Sequence, residues 1–140
     1  MSKWVVDTCV IIDILSGDGE FSGDSADAID TKRDDGLFVA PITYVELAPS
    51  FDGDSIRQDG TLAELGIKID FGGNRDAVMA AYKAWREHVL RKRAGQAVKR
   101  PIADIMIGAY ALQKGGLITR NEDDFRALYP TLTIFNPAKQ

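Results

Sequence analysis

The alternation of short apolar runs with segments of helical periodicity constrains the fold more than any other feature of this 140-residue chain. Strands that alternate with helices are typical of a parallel sheet covered by helices on both faces. We therefore expect an α/β fold. Residues 49–60 interrupt the alternation and are expected to form a loop or an irregular insertion. The runs interpreted as strands are residues 4–6, 37–41, 67–71, 117–119 and 132–135.

Helical patterns fill the intervals between these runs. The clearest covers residues 101–114, where Pro101 suits the first turn and apolar residues recur three and four positions apart. Other helices are expected at residues 26–33, at 44–47, from 73 or 74 to about 93, and at 122–128. Asp24 or Ser25 is the expected N-cap of the first of these, and Thr43 of the second.

Length and composition exclude several classes of protein. The chain suffices for a single domain, which we expect over residues 1–140. No stretch approaches ~20 consecutive apolar residues, so no membrane span is expected. The single cysteine, Cys9, permits no internal disulfide, and a reducing cytoplasmic location is expected. Because His88 is the only histidine, any metal would be held mainly by oxygen.

Four acidic residues, Asp7, Glu46, Asp104 and Asp124, are placed by this pattern near the edge of the sheet where α/β proteins bind ligands. A purely structural role is the alternative to ligand binding for these residues. Asp104 is favourable in the first turn of a helix, and Glu46 fits a capping box with Thr43. Asp7 is the hardest to explain structurally, because it interrupts an apolar run where a charge is costly to bury.

Carboxylates that converge repel one another, and Mg²⁺ or Mn²⁺, which prefer oxygen ligands, remove that penalty. Such ions also neutralise the charge that develops on a phosphodiester. Residues 83–100 contain seven basic residues and one acid, whereas the rest of the chain carries a net charge of −10. A carboxylate cluster with a separate basic segment favours phosphodiester hydrolysis. A solvated helix face is the structural alternative for the basic segment.

Four stretches of the chain resemble the PIN-domain family, and specifically the VapC-type toxin ribonucleases of type II toxin–antitoxin systems. Their order and spacing match the family across nearly the whole chain. The stretches are residues 5–13 (VVDTCVIID), 42–47 (ITYVEL), 102–109 (IADIMIGA) and 117–125 (LITRNEDDF). The resemblance implies a single PIN domain, a three-layer α/β/α sandwich with a central, mainly parallel sheet.

The resemblance also implies a Mg²⁺- or Mn²⁺-dependent endoribonuclease. The implied catalytic and metal-binding residues are Asp7, Glu46, Asp104 and Asp124, and the residues that line the site are Thr8, Thr119 and Asn121. Asp123, which precedes Asp124, leaves the fourth acid ambiguous by one position. Asp13 also matches the family, and we interpret it as a structural residue that caps or braces the first helix.

The family implies three partners, namely an RNA substrate, a VapB-type antitoxin whose tail covers the acidic site, and a second copy of the chain in a homodimer. The candidates for RNA binding are Arg86, Arg91, Lys92, Arg93 and Arg100. Cys9 stands where the family often has Asn or Ser. With His88 on a distant helix, this thiol has no obvious base that would make it a nucleophile.

Other functions stay open as alternatives at this point. A catalytically silent PIN scaffold that binds RNA or protein would be favoured by a missing core acid, yet all four acids are present. An aspartyl-phosphate phosphatase built on Asp7 commonly has a second Asp at position 9, where Cys9 stands. A dinucleotide site is disfavoured, because Gly72 and Gly73 lack the G-x-G-x-x-G spacing.

Overall fold

A parallel sheet forms the centre of the computed structural model, which describes residues 3–17, 19–72, 75–93 and 101–139. The strands of these ranges are β1 (Lys3–Val6), β2 (Leu37–Val39), β3 (Ile67–Ile69), β4 (Gly115–Ile118) and β5 (Ile134–Phe135). Their order in the sheet is β3-β2-β1-β4-β5, and every neighbouring pair is parallel. The predicted parallel sheet is confirmed, with β1 at its centre.

Helices connect the strands and cover both faces of the sheet. They are α1 (Thr8–Ser16), α2 (Ser22–Lys32), α3 (Pro41–Glu46), α4 (Ser55–Glu64), α5 (Arg75–Arg93), α6 (Pro101–Lys114) and α7 (Glu122–Leu128). The bounds of α6 and α7 agree with the predicted residues 101–114 and 122–128. Among the helices of the described ranges, none combines the length and the apolarity needed to cross a bilayer.

The residues of β1 divide the core into two halves, because successive strand residues point to opposite faces. Val5 packs in one half with residues of α5, α6 and α7, such as Phe125. Trp4 and Val6 pack in the other half with residues of α1, α2 and α4, such as Ile11. The two halves make the three-layer α/β/α sandwich that the resemblance implied.

The loop or irregular insertion expected over residues 49–60 is confirmed for residues 49–54 and wrong for residues 55–60, which are the start of α4. Asp54 caps this helix, and its side chain accepts a hydrogen bond from the Arg57 main-chain N–H at 3.1 Å. Gln58 is buried and donates its side-chain amide to a carbonyl of α3 at 2.8 Å. Leu62, one turn later on the same face, is also buried. Contacts with α3 and the core therefore stabilise a helix that the local composition did not predict.

The predicted caps of α2 are also wrong. The helix begins at Ser22, earlier than expected, and its N-cap residue makes no side-chain capping bond. Ser25 lies inside the helix, where its hydroxyl donates to the Asp13 carboxylate at 2.9 Å. A tertiary hydrogen bond to α1 therefore replaces the predicted capping role.

The start of α3 differs from the expectation in the same way. The helix begins at Pro41, with Ala40 as its N-cap, because proline suits the first helical turn. Thr43 consequently lies within the helix and is buried, and Glu46 is the last helical residue. The capping box suggested for Thr43 and Glu46 is therefore not formed, and both side chains are available for other contacts.

Candidate active site

Asp7 lies where β1 ends and α1 begins. As the N-cap of α1, its Oδ1 accepts a hydrogen bond from the Thr8 main-chain N–H at 2.8 Å. Its Oδ2 accepts from the Thr119 hydroxyl at 2.7 Å and from the Cys9 thiol at 3.3 Å. The residue is only 2% exposed. These donors compensate for the burial of a carboxylate and hold it in one orientation.

The Thr8 hydroxyl connects this position to α3. It donates to Glu46 Oε1 at 2.8 Å, and it lies 3.0 Å from the buried Thr43 hydroxyl. Thr8 itself is 2% exposed, whereas Glu46 is half-buried. Two of the predicted acids, Asp7 and Glu46, are thus brought to one place by the threonine that follows the first of them.

Strand β4 supplies a further side of the site. The Asp7 main-chain N–H donates to the Ile118 carbonyl at 3.0 Å, which aligns the ends of the two strands. Thr119 is fully buried, and its hydroxyl accepts from the Asn121 main-chain N–H at 3.0 Å. Because the Asn121 main-chain N–H donates a hydrogen bond to this oxygen, the Thr119 hydroxyl is oriented to donate its own hydrogen bond to Asp7.

Cys9 lies beside Asp7, in surroundings that favour the protonated thiol. Burial, and then the nearby Asp7 carboxylate, raise the pKa of the Cys9 thiol to about 12. The protonated thiol donates to the Asp7 carboxylate, and the Arg120 main-chain N–H bonds to the sulfur. The thiol is therefore part of the hydrogen-bonded surroundings of Asp7.

The other two predicted acids lie on α6 and α7. Asp104 is in the first turn of α6, which packs against β1 and α3, and it is 3% exposed. Asp124 is half-buried, whereas Asp123 is exposed. Both line a polar cleft of about 300 Å³ beside Arg120 and Lys139. Within the described ranges, no three His, Cys, Asp or Glu side chains form a group that could hold a metal ion. The convergence of all four acids stays a prediction.

Residues 4–129, which include all of these positions, match the family model described as PIN domain. The chain belongs to the PIN domain family. The resemblance inferred from four sequence motifs is therefore confirmed. A comparison with curated proteins finds no match.

Several solved structures share the fold of this PIN domain. VapBC-1 from nontypeable Haemophilus influenzae has 22% identity and a TM-score of 0.69, over 97% of this chain and 98% of that one. DNA-bound VapBC from Salmonella typhimurium has 17% identity and a TM-score of 0.69, over 98% and 99% of the two chains. FitAB bound to an IR36 DNA fragment has 17% identity and a TM-score of 0.68, over 98% and 96%. At these identities the comparison establishes a common fold.

The donor chemistry around Asp7 fits a hard divalent cation. The carboxylates of Asp7 and Glu46 and the hydroxyls of Thr8 and Thr119 are all oxygen ligands, which Mg²⁺ and Mn²⁺ prefer. Mg²⁺ usually keeps several waters and takes only one or two protein carboxylates, so a large carboxylate cage is not required.

His88 belongs to α5, where its ring stacks on Trp85 with 5.6 Å between centroids.

The predicted RNA-binding residues lie on α5 and after it. Arg86 is exposed on α5, and Arg91 is half-buried. The Nη2 atom of Arg91 is buried, and no hydrogen-bond partner for it lies in the part of the chain that the structure describes. The side chains of Lys92 and Arg93, and the whole of Arg100, are outside the described residues. Arg86 is therefore the candidate that the structure places on an accessible surface.

An apolar groove of about 500 Å³ runs between α3, α5 and α6. Phe71, Tyr82 and Trp85 line it and are 67%, 69% and 40% exposed. Sequence reasoning missed this groove, because helical spacing of apolar residues does not distinguish a buried helix face from an open one.

The ion pair between Arg120 and Asp13 is the other feature that the sequence did not reveal. Arg120 Nε lies 2.6 Å from Asp13 Oδ2, and this hydrogen bond raises the pKa of the Arg120 guanidinium above its ordinary value. Asp13 was interpreted as a brace for α1, and the structure identifies its partners as Arg120 and Ser25. No local signal marks a pair whose members are 107 positions apart.

Proposed function

We propose that this PIN domain is a VapC-type toxin, a metal-dependent endoribonuclease that hydrolyses RNA phosphodiester bonds in the cytoplasm. The observation that carries the proposal is the buried Asp7 carboxylate, which Thr8 and Thr119 orient and which Thr8 links to Glu46. A buried carboxylate held by fixed donors is suited to bind a cation in one position. Membership of the PIN family and the similar VapBC structures support this class of activity.

Asp7, Glu46 and Asp104 are the proposed ligands of Mg²⁺ or Mn²⁺. Asp124 is the proposed fourth acid and acts directly or through water. When bound, such an ion supplies a Lewis acid that lowers the pKa of water and neutralises charge on the phosphate. The threonine hydroxyls fix the ligand oxygens, so little reorganisation is needed during the reaction. Hydrolysis adds water across the P–O3′ bond and leaves a 5′-phosphate and a 3′-hydroxyl.

The basic segment is the proposed RNA contact. Arg86 lies on the exposed surface of α5, and cations of this kind bind the phosphate backbone without reading its sequence. The other proposed contacts are Arg91, Lys92, Arg93 and Arg100. Since the remainder of the chain is acidic, the RNA is expected to contact this segment in preference to other surfaces.

A VapB-type antitoxin and a second copy of the chain are the proposed protein partners. The similar solved structures from Haemophilus influenzae and Salmonella typhimurium are VapBC assemblies, and the second of them is bound to DNA. An antitoxin that covers Asp7 and Glu46 would inhibit the enzyme by excluding RNA and cation from the site.

The activity is tested with purified protein and end-labelled RNA in Mg²⁺, in Mn²⁺ and in EDTA. We expect cleavage that requires the divalent ion and that Asp7→Asn or Asp104→Asn abolishes. Asp30→Asn is the matched control, because Asp30 is an exposed acid of α2 away from the site. Controlled expression followed by mapping of RNA ends extends the test to cells. Identical RNA ends and equal growth for wild type and Asp104→Asn would count against the proposal that the chain is a toxin.

A catalytically silent PIN scaffold is the second candidate. It is supported by the exposed side chains of α5, such as Tyr82 and Arg86, which could bind RNA or protein without cleavage. It predicts RNA or protein binding without cleavage in any divalent ion, and binding that Asp7→Asn leaves unchanged. Cleavage in Mn²⁺ that Asp7→Asn removes would exclude this candidate.

A further inference from the structure

Arg120, which lies between two residues of the candidate site, is fixed to α1 by a forked ion pair. Its Nε and Nη2 donate to the two carboxylate oxygens of Asp13 at 2.6 and 3.0 Å. The Ser25 hydroxyl donates to the same carboxylate at 2.9 Å. The Phe21 ring lies 4.2 Å from the guanidinium carbon. The side chain of Arg120 is therefore held by a carboxylate and an aromatic face together.

Several contacts join residues 119–121 to Asp7 and to α1. The Thr119 hydroxyl donates to Asp7 at the start of the helix, and the Arg120 main-chain N–H bonds to the Cys9 sulfur. The Arg120 side chain bonds to Asp13 farther along the helix. Without the ion pair, the Thr119 main chain would stay bonded to Phe135 of β5 at 3.1 Å, but the Thr119–Asp7 bond would be the only strong hydrogen bond among these contacts of residues 119–121 with Asp7 and α1.

The Arg120–Asp13 pair differs from an ordinary surface ion pair. Its side chains are 23% and 14% exposed, and both carboxylate oxygens are used. The pair Arg126–Glu122 on α7 has a single 3.0 Å contact, and its side chains are 44% and 21% exposed. Pairs with one contact and a more exposed arginine contribute less to stability, whereas bidentate, half-buried pairs fix geometry. Arg126 is consequently a good control for Arg120.

We propose that Arg120 is a positioning residue, whose ion pair with Asp13 holds residues 119–121 against α1 and so keeps the Thr119 hydroxyl on the Asp7 carboxylate. This inference rests on the proposed function, because it concerns the orientation of a proposed metal ligand. Lysine cannot reproduce the forked contact, since its ammonium group binds a carboxylate as a point charge. A lysine at position 120 should therefore restore only part of the effect.

The first test compares Arg120→Ala and Arg120→Lys with Arg126→Ala in the full chain. Mn²⁺ binding is measured by titration calorimetry, and RNA cleavage by steady-state kinetics. For Arg120→Ala we expect Mn²⁺ affinity and kcat to fall by about 10- to 100-fold, as for other residues that orient a metal ligand. KM for RNA should stay the same, Arg120→Lys should be intermediate, and Arg126→Ala should match the wild type. Unchanged Mn²⁺ affinity and kcat in Arg120→Ala would overturn the proposal.

The second test uses Cys9 and needs neither metal nor RNA. Cys9 is the only cysteine of the chain, and it is half-buried against residues 119–121. We expect Arg120→Ala to accelerate its reaction with a thiol reagent by about 10-fold or more, because local opening exposes it without global unfolding. Urea titration of each variant measures global unfolding and so distinguishes it from local opening. Equal reaction rates in Arg120→Ala and Arg126→Ala would contradict the positioning role.

The outcomes of the two tests distinguish this inference from the proposed function. If the wild type cleaves no RNA, the proposed function fails, whereas the Cys9 reaction rates still decide whether Arg120 holds residues 119–121. If the wild type cleaves RNA and Arg120→Ala behaves as Arg126→Ala does in every measurement, the proposed function stands and the positioning role is wrong.

Discussion

The carboxylate pocket, which consists of Asp7, Thr8, Glu46 and Thr119, contrasts with the surface of α5. In the pocket, polar side chains are buried or half-buried and bond to one another at 2.7–2.8 Å. On α5, large side chains such as Tyr82 are exposed beside cations such as Arg86. A buried hydrogen-bonded group has one arrangement, whereas an exposed surface adapts to what it contacts. Substitutions in the pocket should therefore change the rate of catalysis, whereas substitutions on α5 should change the affinity for RNA.

The largest effect is expected from Asp7→Asn. Loss of the charge removes several kcal/mol of electrostatic stabilisation, so kcat/KM should fall by at least about 100-fold. Asparagine keeps the N-cap role, but its amide nitrogen replaces the oxygen that accepts from Thr119 and Cys9, so the free energy of unfolding should fall by about 1–3 kcal/mol. Cleavage assays and urea titration measure the two quantities. A stable Asp7→Asn protein with wild-type kcat/KM would show that the pocket is not the catalytic site.

Thr8→Val should have the next largest effect, because it removes the hydroxyl that donates to Glu46 while keeping the shape of the side chain. We expect activity to fall by about 10- to 100-fold. The unpaired polar groups left in the pocket should lower the free energy of unfolding by about 1–3 kcal/mol. Thr8→Ser keeps the hydroxyl and is the matched control. If Thr8→Val and Thr8→Ser have the same activity, the hydroxyl does not orient Glu46.

On α5, Arg86→Ala should weaken RNA binding without changing kcat. Loss of one phosphate contact should lower the salt dependence of the affinity by a slope of about 0.7 for single-stranded RNA. Affinity is measured by fluorescence anisotropy at several salt concentrations, and the loss should be similar for different RNA sequences. Arg57→Ala, an exposed cation of α4, is the control. Equal salt slopes for the two variants would place the RNA elsewhere.

The smallest effect concerns stability at acid pH. Hydrogen bonds from Arg126 and then Asn136 lower the pKa of Glu122 below its ordinary value of 4.5. The ionised Glu122 carboxylate therefore stabilises the folded protein fully above pH 4.5. This stabilisation is lost as the pH falls through the lowered pKa of the folded state. Urea titrations from pH 7 to about pH 3 should show a slightly smaller loss for Glu122→Gln than for the wild type. Parallel pH profiles for the two proteins would contradict this contribution.

Most of the fold could be predicted from the sequence, because local periodicity reflects which side of an element is buried. The pattern over residues 101–114 predicted α6 with its observed bounds. Helix α4 was missed although Asp54 is a local capping signal, because the helix is also stabilised by the contacts of Gln58 and Leu62 with other elements. These contacts cannot be read from a window of neighbouring residues.

The sequence by itself determined the family, the parallel sheet and the identity of the candidate acids, since these depend on residue types in a set order. Only the tertiary structure decided which side chains meet. It joined Asp7 to Glu46 through Thr8, and it paired Arg120 with Asp13. The physical reason is that hydrogen bonds and ion pairs depend on distances of a few ångströms, and packing brings together residues from distant parts of the chain.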